Sequence, residues 1–387
     1  MSLMNGRKAF LVVMMGLTIV TVAKSGHEQP VYPSYYPHEI EIRTVAPEGA
    51  ADLLRAGKIQ AYVGQTPAFT GAPPASIGSV ESLGAYVLVR VNPSSSLLKE
   101  GRPACSLAES ILRELAEKGR GLIFHPYPVT PYHGDYLHHV DLAEAAKARL
   151  GAGSSAPLPR AIKVKAARPI AERYLPPDWI LQDSDWDVEV AEVDAASLVG
   201  SAAYAINGWL GPAWLRTGWF HAGLLLGDVT RDENQKRRIE ENLNGLKMGS
   251  YDGPVARINL ERELVHLLTA DCHALVAGYT VKREYFSTEF SAGIENIAYD
   301  SIEGFNSAMF IRTVKLKDFP WNGWLQLGID GRPAAAWNPI AGFSDDFGRL
   351  MWSAVSDPAM VPSPYESAWM LNRISDVQST AAKWVGR

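Results

Sequence analysis

Cysteine is scarce: the 387 residues hold two, Cys105 and Cys272. No C-x-x-C-H run is present, so the chain carries no covalent haem of its own, and no paired C-x-x-C spacings mark a structural zinc module. A Gly-rich phosphate loop, a G-x-S-x-G elbow and H-E-x-x-H are also missing, so no local signature names a reaction. A basic excess is absent as well. The net charge of −5 and the lack of a Lys/Arg-rich tail argue against nucleic acid as a partner. Beyond the first two dozen residues no apolar run is long enough to span a bilayer.

What is present begins with those first residues. Arg7 and Lys8 precede an uncharged apolar run, residues 9–23 (AFLVVMMGLTIVTVA), and the chain turns polar at Lys24. A basic start, a short apolar run and small residues at Thr21 and Ala23 form the pattern of a secretory signal. The run falls short of the ~20 residues of a comfortable span. The reading is therefore export to the periplasm or the extracellular space, with residues 1–23 either cleaved as a signal peptide or kept as a signal-anchor tether. In an oxidising compartment Cys105 and Cys272 can pair, joining the two halves of the chain. Two separate buried thiols are the alternative, because spacing alone brings neither close to the other.

Residues 24–38 are rich in Pro and Tyr and read as an extended arm, suited to lying on a partner such as a membrane protein complex. An α/β rhythm follows in residues 39–150. Residues 39–45 (EIEIRTV) alternate as a strand. Residues 47–56 read as a helix with Pro47 and Glu48 in its first turn and Gly57 after its end, and residues 59–63 as a second strand. Residues 85–91 (AYVLVRV) read as a strand. Ser106 and Glu109 form a capping box opening a helix with Leu107, Ile111 and Leu115 on one face, and Gly119 closes it before a strand at 122–124. The fold class is α/β, an open sheet with packed helices in this N-terminal unit. Residues 151–159 (GAGSSAPLP) have linker composition. Residues 160–387, which hold all 11 tryptophans, read as a mixed α/β, Trp-rich C-terminal unit. Strands are expected there at 161–165, 188–193, 310–317 and 325–329, and helices at 195–206, 233–246 and 257–277.

The run TVAPEGAADLLRAGKIQAYVG (residues 44–64) resembles a segment of periplasmic solute-binding proteins, a strand, a helix ending L-x-x-G-x-I/V-x-A and a buried strand. The resemblance covers about 20 residues. It implies an α/β unit of that kind and carries over no site residue. The Trp-rich second half does not resemble that family's second lobe.

Three groups could carry chemistry. The densest is FHPYPVTPYHGDYLHHVD (residues 124–141), with His125, His133, Asp135, His138, His139 and Asp141 beside Tyr127, Tyr132 and Tyr136. It begins where a predicted strand ends, the place where open α/β sheets put ligands. Its imidazoles and carboxylates suit a transition metal, copper, iron or zinc, or a general acid–base histidine. His125 and His133 are the leading ligands. A packed loop whose histidines bond backbone carbonyls is the competing reading. The second group is Glu263, His266 and His273, placed on one face of the predicted helix, a secondary metal candidate lacking a second Glu-x-x-His. The third is aromatic: Trp209, Trp219, His221, Trp321 and Trp324 read as a ligand or partner surface, with core filling as the alternative. The sequence thus favours an exported binding or accessory protein, solute-binding-like or docked on a membrane or redox complex, with a small-molecule ligand. An extracytoplasmic metalloenzyme using the His-rich loop is the alternative.

Overall fold

The computed structural model describes residues 37–99, 101, 103–119, 121–152, 162–201, 212–229, 232–317, 323–334, 345–356, 359–363, 368–372 and 374–376. The export segment, nearly all of the Pro/Tyr arm, most of residues 151–159, and the expected surface residues Trp209 and Trp321 lie outside them.

The protein is a mixed α/β structure built on one curled open sheet. Strand β1 (Glu39–Thr44) leads into helix α1 (Pro47–Arg55), with Pro47 in its first turn, where a missing N–H costs nothing. Strand β2 (Ala61–Val63) follows and is fully buried. The long strand β3 (Ile77–Val91) spans the sheet. Beyond a one-turn helix α2 (Ser96–Lys99), helix α3 (Ala104–Lys118) buries Leu107, Ile111 and Leu115, as their spacing predicts. The capping box does not form. Pro103 is the cap, Ser106 sits inside the helix, and Glu109 pairs with Arg113 and Arg149. Strand β4 (Ile123–Phe124) and helix α4 (Val140–Ala152) bracket the His-rich loop.

Strand β5 (Lys163–Lys165), helix α5 (Arg168–Tyr174), strand β6 (Ile180–Leu181), strand β7 (Val188–Asp194) and helix α6 (Ala195–Ser201) come next. They precede three helices, α7 (Gly218–Leu226), α8 (Glu233–Met248) and α9 (Gly253–Thr269). Strand β8 (Ala274–Ser287) is followed by strand β9 (Ile294–Asn296), helix α10 (Ala308–Thr313), strand β10 (Lys315–Leu316), strand β11 (Trp324–Ile329), helix α11 (Asp346–Val355), and strands β12 (Met360–Pro362) and β13 (Trp369–Leu371).

Two expected elements are corrected. Of residues 310–317 only Lys315 and Leu316 are strand, and 310–313 are helix, because the Ser307 hydroxyl accepts from the Phe310 amide and starts a helical turn. The helix expected through residue 277 stops at Thr269. Cys272 takes a left-handed φ of 55°, and Ala274 begins β8.

The main sheet runs β1-β11-β2-β8-β3-β7-β5-β6, and β4 pairs β8 at Gly278 and Tyr279, opposite β3. Strands β1, β11 and β2 are parallel, whereas β2, β8, β3 and β7 are antiparallel neighbours. Strand β11 is inserted between β1 and β2, so a segment from late in the chain completes the β1-α1-β2 unit. Strands from both sides of residues 151–159 share this one sheet. Along β3 side chains alternate between two cores, as strand geometry demands. Tyr86 and Leu88 face a core with α7 and α9; Val87 and Val89 face one with α3. Cys105 and Cys272 form a disulfide across 167 residues, tying the start of α3 to the turn before β8. Among the described residues no helix is long and apolar enough to cross a membrane.

Candidate functional site

Two places in this fold concentrate polar chemistry. The first is a cleft of about 560 Å³ at the carboxyl ends of the parallel strands β2 and β11. Gly64, Gln65 and Thr66 line it from the end of β2, and Asp330 from the end of β11. The Asp330 carboxylate accepts the Gln65 amide at 2.7 Å. Gly64 has a φ of 125°, and a Cβ there would lie 2.4 Å from the Asp330 carboxyl carbon. Glycine is therefore required by both backbone and space. Beneath it, buried Glu284 accepts the amides of Gly64 and Phe305 and pairs with Lys282 at 3.1 Å. Burial pushes the Glu284 carboxyl above its ordinary range, and Lys282 opposes that rise. The opposite wall contains the irregular stretch of β3, where the ladder to β8 slips between Leu83 and Tyr86. There the Thr280 hydroxyl accepts the Ala85 amide at 2.9 Å in place of a ladder carbonyl. The charged lining is acidic on balance: Glu192, Asp194, Asp330 and Asp346 against Arg173 and Lys282. Both cations are paired, Arg173 with Glu192 and Lys282 with Glu284.

The second place is the loop of residues 125–139, packed between the sheet and helices α7 and α9. His125, His133, Asp135 and His139 are all buried, and His138 is partly exposed. His125 closes the loop on itself, its Nε2 donating to the Val129 carbonyl at 2.9 Å. Burial lowers its pKa. His133, His221 and Tyr86 form a hydrogen-bonded chain. The Thr130 amide donates to His133 Nδ1 at 2.9 Å, so the His133 proton sits on Nε2 and points to the Tyr86 hydroxyl, also 2.9 Å away. That hydroxyl reaches His221 Nδ1 at 2.6 Å, and His221 Nε2 donates to the Leu215 carbonyl at 3.0 Å. Every ring nitrogen of the pair is engaged. Burial pulls His221 down to about 4 and His133 well below its ordinary value. Both imidazoles are neutral at pH 7.

Asp135 faces the other way. Its two oxygens accept the amides of Gly218 and Trp219 at 2.7 and 3.2 Å, the first orphan donors of α7. The fit needs Gly218, since a Cβ there would lie 2.4 Å from Val129 Cγ1. Burial pushes Asp135 up to about 6, against the pull of those amides, and the Glu261 charge adds to the rise. Asp135, His139 and Glu261 each offer a donor atom, and the three lie within 4.8 Å of one another. His139 Nδ1 meets the Tyr127 hydroxyl at 2.9 Å, whereas its Nε2 is buried with no hydrogen-bond partner. Glu261 is held by His138 Nδ1 at 2.9 Å and by Arg257 at 3.5 Å. Arg262 clamps Asp141 through two contacts of 2.6 and 2.7 Å and holds the His138 carbonyl at 2.5 Å, fixing α9 against the loop.

The structure thus brings Asp135 and His139 together, places His138 behind Glu261, and sends His125 and His133 into separate hydrogen bonds. Glu261 was not singled out by sequence. Its signal was an acid on the apolar stripe of α9, three and four residues before buried Leu264 and Val265. The second group does not share a face. Glu263 pairs with Arg238, His266 is exposed, and His273 lies past the end of α9 in the turn made by Cys272. Of the expected aromatic surface, Trp219 and His221 are 2% and 0% exposed and belong to the core. Trp324, at 59%, is exposed on β11.

No family model matches the chain, and no curated protein matches it. Among solved structures it is similar to an ABC transporter substrate-binding protein from Sinorhizobium meliloti, at 15% identity and a TM-score of 0.35, over 66% of this chain and 57% of that one. It is similar to HbpA2 from Haemophilus parasuis, at 10% identity and 0.38, over 70% and 57%. A third is the periplasmic binding protein DppA from Helicobacter pylori in complex with the peptide STSA, at 10% and 0.38, over 71% and 56%. The matched region thus spans little more than half the length of each of these structures.

Proposed function

We propose that the chain is an exported solute-binding protein that takes a small, polar, cation-bearing solute into the cleft lined by Gly64 and Asp330 on one side and by β3 on the other. The observation carrying this reading is the cleft itself, formed where parallel strands β2 and β11 end and closed by the irregular stretch of β3. The segment that resembles solute-binding proteins, residues 44–64, reaches this cleft at its last residue, Gly64. The acidic balance of the lining favours an amine over a free anion. Export is supported by the apolar leader at residues 9–23 and by the Cys105–Cys272 disulfide, which suits an oxidising compartment. The Pro/Tyr arm would set the body against a partner at the membrane.

The test is thermal unfolding of the full chain with a panel of amine-bearing solutes: amino acids, short peptides and polyamines. A ligand at a hundredfold excess over its Kd stabilises by about 2.7 kcal/mol. That stabilisation is expected to vanish in Ala196→Trp, which puts an indole into the cleft from its lining. A panel without any stabilising solute, or an unchanged response in Ala196→Trp, would overturn the reading.

A further inference from the structure

We infer that Asp135, His139 and Glu261 bind one divalent transition-metal ion of the zinc class, as a structural clasp between the His-rich loop and helix α9. The proposal is independent of the cleft. Two side chains of the His-rich loop and a third from α9, more than a hundred residues on in sequence, converge with donor atoms within 4.8 Å of one another. All three are buried, at 3%, 0% and 2% exposure. The second observation is His139 Nε2, buried and without a hydrogen-bond partner. A buried imidazole nitrogen left unpaired is destabilising, and a metal bond would remove that cost.

The surroundings match what such ligands require. With His139 Nδ1–H donating to the Tyr127 hydroxyl oxygen, the ring keeps its Nε2 lone pair for the metal. The amides of Gly218 and Trp219 orient Asp135, and His138 with Arg257 orients Glu261. Each carboxylate oxygen retains a lone pair beyond these bonds. One imidazole with two carboxylates is a donor set for zinc, manganese or ferrous iron; the imidazole disfavours calcium and magnesium. Bonds of about 2.0–2.2 Å require the widest donor pair to close by about 1.5 Å at most, which side-chain torsions supply. With every donor buried, the ion would join structure to structure and meet no substrate.

Metal analysis of the purified full chain is expected to give about one zinc, manganese or iron per molecule, lost in Glu261→Gln and retained in Glu263→Gln. After chelator treatment, zinc chloride is expected to raise the melting temperature of the wild type and leave that of Glu261→Gln unchanged. Cobalt(II) added to the chelated wild type gives visible ligand-field bands with nitrogen and oxygen donors, so the proposal is tested even where a variant fails to fold. A metal-free wild type that shows neither a zinc-dependent melting shift nor cobalt bands would overturn it. So would a metal content that Glu261→Gln leaves intact.

Discussion

Two histidine groups lie side by side under α7, and they differ in one respect. In the chain His133–Tyr86–His221 every nitrogen and hydroxyl has a partner, down to the Thr130 amide and the Leu215 carbonyl. In the group Asp135–His139–Glu261 one nitrogen has none. Burial is nearly identical, so exposure does not separate them. The lesson is that the density of histidines in residues 124–141 says little about ligand binding. Completeness of hydrogen bonding says more. A closed network fixes a loop, and an open one leaves a lone pair for something else.

The sharpest way to break this comparison is to open the closed group. Tyr86→Phe removes the hydroxyl that bridges the two rings and leaves His133 Nε2 and His221 Nδ1 only their longer contact with each other at 3.3 Å. The expected loss is about 2–3 kcal/mol, from the lost hydroxyl bonds and the poor pairing that replaces them. His139→Leu, in the open group, deletes an unpaired nitrogen along with one bond to Tyr127. In metal-free protein it should change stability by less than about 1 kcal/mol, because replacing an unsatisfied polar group by an apolar one offsets the lost bond. Urea unfolding of the two chelated variants measures both. Equal losses would remove the distinction.

The same contrast marks how much was legible in sequence. Period-two alternation gave β1 and β7, and the helical period gave α1, α3 and α8, because those elements bury one face each. The alternating β-branched residues of 310–317 misled, since the Ser307 cap and packing of Phe310 and Ile311 outweigh propensity there. The apolar run after residue 269 misled for another reason. A helix core and a central strand look alike over so few residues, and only the left-handed turn at Cys272 separates them. In the loop, the clustering of chemistry-bearing residues was visible, but their partners were not. Tyr86, His221 and Glu261 come from three other elements, and nothing in local spacing reports contacts across 47, 88 and 123 residues. Trp219 is core instead of surface, because Gly218 before it lets the chain approach Asp135 and Val129 closely.

A second expected effect comes from acid. The His221 value is about 4 in the folded protein against an ordinary 6.5, with burial as the main cause and Arg216 adding to it. Between those values the unfolded chain holds the extra proton and the folded one does not. Stability is therefore complete above pH 6.5 and falls as pH drops towards 4, by about 3 kcal/mol for this group alone. His133 acts in the same direction. Urea midpoints measured from pH 7 to 4.5 should decline, and His221→Phe should make the decline shallower. A flat profile would mean that the pair is protonated in the fold and that its hydrogen bonds run differently.

The last effect tests the contact between the two groups. Gly218 is the residue through which Asp135 reaches α7, and Val129 packs directly on it. Gly218→Ala places a methyl where Val129 Cγ1 now sits, so the loop must lift from the helix. Overpacking of this kind costs about 1–3 kcal/mol. Lifting moves Asp135 away from His139 and Glu261 but leaves the anchors of His133 at Thr130 and of His221 at Leu215 in place. The variant should therefore weaken zinc-dependent stabilisation while keeping the acid profile of the wild type. A change in the acid profile as large as the change in zinc response would show that the two groups move as one unit, and that the open and closed sets are a single network.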